Sequence, residues 1–134
     1  MINYKCHPGI GKKVSGIALC ANDNFSARYD LDRNKGIFSR KSHLLYSQSY
    51  IDKILVLNES KGGVASAWML YEMISRDKAP KAILFNQANT ILAQGCSFAN
   101  LSMCDRFVDG DITKLINTGD NLEVDPLNGL VTIL

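Results

Sequence analysis

The stretch Asn58-Glu-Ser-Lys-Gly-Gly-Val-Ala-Ser66 sets a lysine, two glycines and a serine between an apolar run, Ile54-Leu-Val-Leu57, and a segment of helical spacing. A strand that turns on two glycines straight into a helix leaves the first helical N–H groups unpaired. It also puts the positive end of the helix dipole behind them, which suits a carboxylate or a phosphate. Gly62 and Gly63 let such an anion approach the backbone closely, Lys61 adds a positive charge, and Ser66 supplies a hydroxyl at the mouth. The bland alternative is a mere connection, with Ser66 as the helix N-cap and Lys61 facing solvent.

A second group of candidates sits in the polar loop Asn24-Phe-Ser-Ala-Arg-Tyr-Asp30. Ser26 and Tyr29 offer hydroxyls, and the Arg28 guanidinium matches a carboxylate or phosphate bidentately. Asp30 and Asp32 are better placed to shape the turn at Gly36 than to catalyse. His43 is a candidate general acid or substrate contact, because its reference pKa lies near neutrality. Cys6, Cys20, Cys96 and Cys104 are irregularly spaced without a C-x-x-C pair, and Cys6-His7 lacks a second half. No metal site built from this chain alone is expected, and Cys20 and Cys96 read as small buried hydrophobes.

These residues need a frame. Residues 14–21 and 53–58 read as strands, with a polar, turn-rich segment between them that holds a brief strand at Ile37-Phe38. Trp68, Met69, Glu72, Met73 and Arg76 recur at helical steps over residues 65–76, ended by Asp77-Lys-Ala-Pro80. Lys81-Ala-Ile-Leu-Phe85 is a short apolar run of the parallel-sheet kind, making residues 53–85 a strand–helix–strand unit. Residues 90–96 predict a short helix closing at Gly95, and residues 103–108 the end of a strand. The tail, Leu122-Glu-Val-Asp125 and Leu130-Val-Thr-Ile133 around Pro126-Leu-Asn-Gly129, predicts a β-hairpin. The fold class is α/β, one domain over residues 1–134.

Composition narrows the function classes. Hydrophobic residues at 46% and charged residues at 21% of 134 fit a globular core and not a disordered chain. A net charge of +2 with both signs scattered excludes an electrostatically driven nucleic-acid binder. The N-terminus lacks a signal-peptide pattern and no segment has the length of a membrane span, so a cytoplasmic location without membrane contact is expected.

The order of these motifs resembles the small subunit of the aconitase X family. It runs from the serine-bearing loop and His43 through the Lys61-Gly-Gly63 turn to the helix ending at Ala79-Pro80. It continues with the Ala82-Ile-Leu84 strand, Ile91-Leu-Ala-Gln-Gly95, Thr118-Gly-Asp120 and the Val124-to-Val131 hairpin. The likeness spans residue 14 to the C-terminus. It implies a swivelling β/β/α domain similar to the fourth domain of aconitase, paired with a larger aconitase X subunit that carries an iron–sulfur cluster. The activity implied is dehydration of a small hydroxy acid, cis-3-hydroxy-L-proline or a related substrate, active only in the complex. A serine of the small subunit, Ser66 here, would be catalytic, with Gly62, Gly63, Ser26, Arg28, Tyr29, His43 and Lys61 around the substrate.

The chain also departs from the family pattern. Gly63 stands where the family has a first serine and Ala67 where it has a later one, leaving Ser66 as the hydroxyl inside the turn. Two alternatives follow: a dehydratase subunit acting on 5-phosphomevalonate, or a non-catalytic binding or regulatory module on the same fold. A phosphohistidine swivelling domain is set aside, because the helix after Ser66 contains no histidine.

Overall fold

The computed structural model describes residues 1–134. In chain order the elements are β1 (Ile2–Lys5), β2 (Val14–Cys20), β3 (Leu31–Asp32), β4 (Ile37–Phe38), β5 (Lys53–Glu59), α1 (Val64–Ser75), β6 (Ala82–Gln87), α2 (Thr90–Ala99), β7 (Ser102–Asp105), α3 (Ile112–Leu115), β8 (Asn121–Asp125) and β9 (Leu130–Ile133). Seven strands form one sheet in the order β1-β9-β8-β2-β5-β6-β7, and β3 pairs only with β4. Helical crossovers α1 and α2 return the chain to the same edge, so β5, β6 and β7 run parallel, as does β2 beside β5. The tight β8–β9 hairpin and β1 add an antiparallel half.

The continuous apolar runs of β5 and β6 are explained by burial on both faces. Leu55, Leu57, Ile83 and Phe85 point into one core beneath α1 and α2, which also takes Phe25, Phe38 and Tyr50 from the polar segment. Ile54, Val56, Ala82 and Leu84 point into a second core with Ile112, Ile116, Leu122 and Val131. A substantial part of the loop between β2 and β5 is therefore core-anchored despite its polar composition. No helix is long and apolar enough to cross a membrane.

Two expectations shift and two elements are additional. The second helix does not close at Gly95 but continues to Ala99 and ends on Asn100 in the left-handed conformation. Gly95 is instead the contact point of the two helices, since a Cβ there would lie 2.7 Å from that of Ala67. Strand β7 stops at Asp105, where Arg106 takes a positive φ of 61°. Strand β1 and helix α3 had no clear sequence signal, the first being an exposed sheet edge and the second four residues long.

Parallel pairing has one consequence for function. The carboxyl ends of β2, β5 and β6 lie along one edge, and α1, α2 and the loop carrying Ser26 all begin there. Open α/β sheets bind ligands at such an edge.

Candidate active site

The turn between β5 and α1 is locked to the Ser26 loop by backbone pairing. Phe25 bridges Ser60 in parallel fashion, its N–H donating to the Glu59 carbonyl at 2.9 Å while the Lys61 N–H donates to its own carbonyl at 2.7 Å. The Phe25 ring is fully buried, edge-on to Phe85 at 6.1 Å. Two sequence-distant candidates, Ser26 and Gly62, are thereby brought side by side.

Gly62 has φ of +108°, and Gly63 takes the N-cap position in extended conformation without a side-chain cap. The other two helices are capped by side chains. Asn89 accepts from the Leu92 N–H at 2.8 Å, and Asp111 accepts from Thr113 at 3.0 Å. Helix α1 differs: the amides of Gly62, Gly63, Val64 and Ala65 donate to no acceptor in the protein, and all four residues are exposed. Four successive free N–H groups at the positive end of a three-turn helix form a ready anion cradle.

Ser66 is not at an open mouth as expected, nor is it the N-cap. It lies in the first turn, 3% exposed, with its N–H donating to the Gly63 carbonyl at 3.0 Å. A Cβ placed on Gly62 would come within 2.4 Å of the Ser66 Oγ and 3.8 Å of the Ser26 Oγ. Both hydroxyls therefore pack against the Gly62 backbone, and the Ser66 Oγ takes the space that a side chain at Gly62 would need.

The remaining candidates divide. Ser26 is buried, its N–H donating to the Asp30 carboxylate at 2.8 Å and its hydroxyl accepting from the Tyr29 N–H at 3.4 Å. Asp30 is itself buried and holds Arg40 at 2.6 Å together with the Ser26 N–H, whereas the turn at Gly36 is shaped by Asp32, which accepts from the Asn34 and Lys35 N–H groups. Arg28 and Tyr29 lie on the exposed outside of that loop, with the guanidinium 5.5 Å from the ring centroid. The Lys61 ammonium is exposed, 3.8 Å from Glu59.

His43 is a correction. Its side chain has no exposure, stacked on Phe38 at 4.7 Å. Nε2–H donates to the Asn24 carbonyl at 2.7 Å and Nδ1 accepts from the Leu45 N–H at 3.0 Å. With both nitrogens committed in the neutral form, His43 fixes the Ser26 loop from behind rather than meeting a ligand. Asp23 helps: burial raises its pKa, but N–H donors from Asn24 and Leu44 outweigh this and hold the carboxyl below its usual value.

One contributor was missed. The buried Ser60 hydroxyl accepts from the Asn89 N–H at 2.7 Å and so ties the α1 turn to the α2 turn. Only its nearness to the glycine pair could have singled it out. Burial raises the Cys96 thiol to about 12 and the Cys20 thiol to about 11; Cys96 is buried as expected, whereas Cys20 is only half-buried, its thiol donating to the Thr113 carbonyl. No group of three or more His, Cys, Asp or Glu side chains is disposed to hold a metal ion.

Known proteins resemble this chain over nearly its whole length. Residues 3–133 match the aconitase X swivel domain family. The chain is 32% identical over 123 residues to the phosphomevalonate dehydratase small subunit of Thermococcus sibiricus, covering 92% of each. It is 33% identical over 126 residues to the protein of that name from Thermococcus kodakarensis, covering 93% of this chain and 91% of the relative. The crystal structure of Thermococcus kodakaraensis aconitase X in its holo-form superposes with a TM-score of 0.92 at 28% identity, over 100% of this chain and 99% of that one.

Proposed function

The chain belongs to the aconitase X swivel-domain family, and from that premise we propose that it is the small subunit of a two-subunit dehydratase whose substrate is 5-phosphomevalonate. The curated relatives bear the name of that activity, which favours the phosphorylated substrate over the cis-3-hydroxy-L-proline placed first on sequence resemblance. The observation that carries the reading is the run of free amides from Gly62 to Ala65 above two buried hydroxyls. A hydroxy acid with a carboxylate at one end and a phosphate at the other presents an anion that this cradle can hold. Arg28, on the neighbouring loop, is available for the second charge.

Dehydration removes a proton from the carbon beside the carboxylate and expels hydroxide from the next carbon, leaving a double bond. Ser66 is our candidate for the base. A serine does this only as a stabilised alkoxide, and the first turn of α1 supplies the oriented dipole that favours one. Gly62, having no side chain, leaves the Ser66 Oγ its place against the turn. We assign polarisation of the leaving hydroxyl to an iron–sulfur cluster on the larger subunit, acting as a Lewis acid. The residues of this chain bind the anion, orient it and take the proton.

Co-expression with the aconitase X large subunit of the same genome, followed by dehydration assays, tests the reading. The complex is expected to dehydrate 5-phosphomevalonate, to leave cis-3-hydroxy-L-proline largely untouched, and to be inactive when either chain is omitted. Preference for cis-3-hydroxy-L-proline would overturn the substrate. An assembled complex inactive on both would favour the non-catalytic module.

A further inference from the structure

We infer that the open face shared by α1 and α2 is the surface on which the larger subunit docks, an inference that rests on the small-subunit reading above. Residues 90–101 contain no charged side chain, and α1 contains only Glu72. Helices turned to water normally carry charges on that side. Here the outer side displays Trp68, 61% exposed, and Phe98, 58% exposed, with Val64, Tyr71 and Ile91 also open to solvent. The rings form one cluster, Phe98 lying 5.3 Å from Trp68 and 5.0 Å from Tyr71. Below them runs an apolar groove of about 280 Å³, floored where Gly95 meets Ala67.

A contiguous exposed patch of this kind marks an interaction site, and Trp and Tyr are the side chains that dominate interface energies. Its lack of charge fits a permanent apolar interface rather than a transient polar one.

Position selects the occupant. Val64 is both a wall of the groove and one of the four residues with a free amide, so a body seated in the groove also borders the exposed side of the anion cradle. The Ser26 loop is already paired to the same turn through the Phe25–Ser60 bridge. A larger chain covering the groove would complete the site that the small chain leaves open. A second copy would instead bring an identical positively polarised turn to the same place.

The test is affinity for the co-expressed larger subunit, measured with purified wild-type chain, Trp68→Glu, Phe98→Glu and the distant control Leu127→Glu. Both groove side chains are exposed, so the variants should fold, checked by circular dichroism and Tm. The groove variants are expected to bind at least about tenfold more weakly, and Leu127→Glu as wild type. Groove variants binding like wild type would overturn the docking surface while leaving the small-subunit reading intact. Wild-type chain that binds no larger subunit would bring down both. A concentration-dependent dimer of the chain alone, abolished by Trp68→Glu, would assign the face to a second copy.

Discussion

At Gly62 a side chain would press on the Ser66 hydroxyl at 2.4 Å, in a backbone conformation with φ of +108° that L-residues avoid. At Gly63 an added Cβ would meet no atom within 4 Å, and φ of −116° is ordinary. Gly62→Ala should therefore cost about 1–3 kcal/mol and abolish turnover by displacing the serine. Gly63→Ser should leave folding intact or raise stability by a few tenths of a kcal/mol through capping; denaturant titration of both variants checks the contrast. Asp23 gives a pH prediction. Its folded pKa is depressed, so its contribution is complete above the ordinary carboxylate value of about 3.9 and disappears as pH falls through the lower native value. Hydrogen exchange at Leu44, whose N–H it accepts, should quicken only in acid, and Asp23→Asn should bring that loosening to neutral pH. Unchanged exchange in Asp23→Asn would contradict the role. The chemical types at Gly62, Ser26 and Ser66 were legible from sequence, but their depth was not. Whether a hydroxyl faces water or lies under a glycine depends on φ at one residue and on the distant pairing of Phe25 with Ser60, and neither leaves a pattern. His43 was misread for the same reason: nothing local marks its two backbone partners, Asn24 and Leu45.

Helices α1 and α2 hold the cradle through one close contact. Gly95→Ala would force a methyl against Ala67 at 2.7 Å, and the helices must part to admit it. Overpacking of this kind costs about 1–3 kcal/mol, partly offset by the better helix propensity of alanine. The expected outcome is a lowered Tm and weaker 5-phosphomevalonate affinity, because the α1 N-terminus moves with its helix. A Tm at or above wild type would show that the contact has slack. Elements with strong periodicity or uninterrupted apolar runs, β2, β5, α1, β6 and the β8–β9 hairpin, were readable because their burial is written into consecutive residues. Strand β1 was not, since its exposed edge needs no alternation, and α3 is too short to reveal a helical period. The end of α2 was misplaced because a mid-helix glycine demanded by packing looks the same as a terminating one.

Across the whole molecule, a mixed sheet gathers the carboxyl ends of its parallel strands at one edge, where a helix start is left uncapped beside an apolar groove. On the proposed function the cradle is half a site, and on the proposed docking the groove is where the larger subunit attaches. Resemblance over nearly the full chain supplied the family from sequence; the shared location of cradle and groove required the folded structure. The most direct measurement of the central claim is kcat for 5-phosphomevalonate dehydration by complexes containing wild-type chain or Ser66→Ala, with assembly confirmed equal by size exclusion. A loss of about 10²–10⁴ in kcat, with KM little changed, is predicted for a proton-abstracting serine beneath the cradle. Full turnover in the Ser66→Ala complex would contradict it.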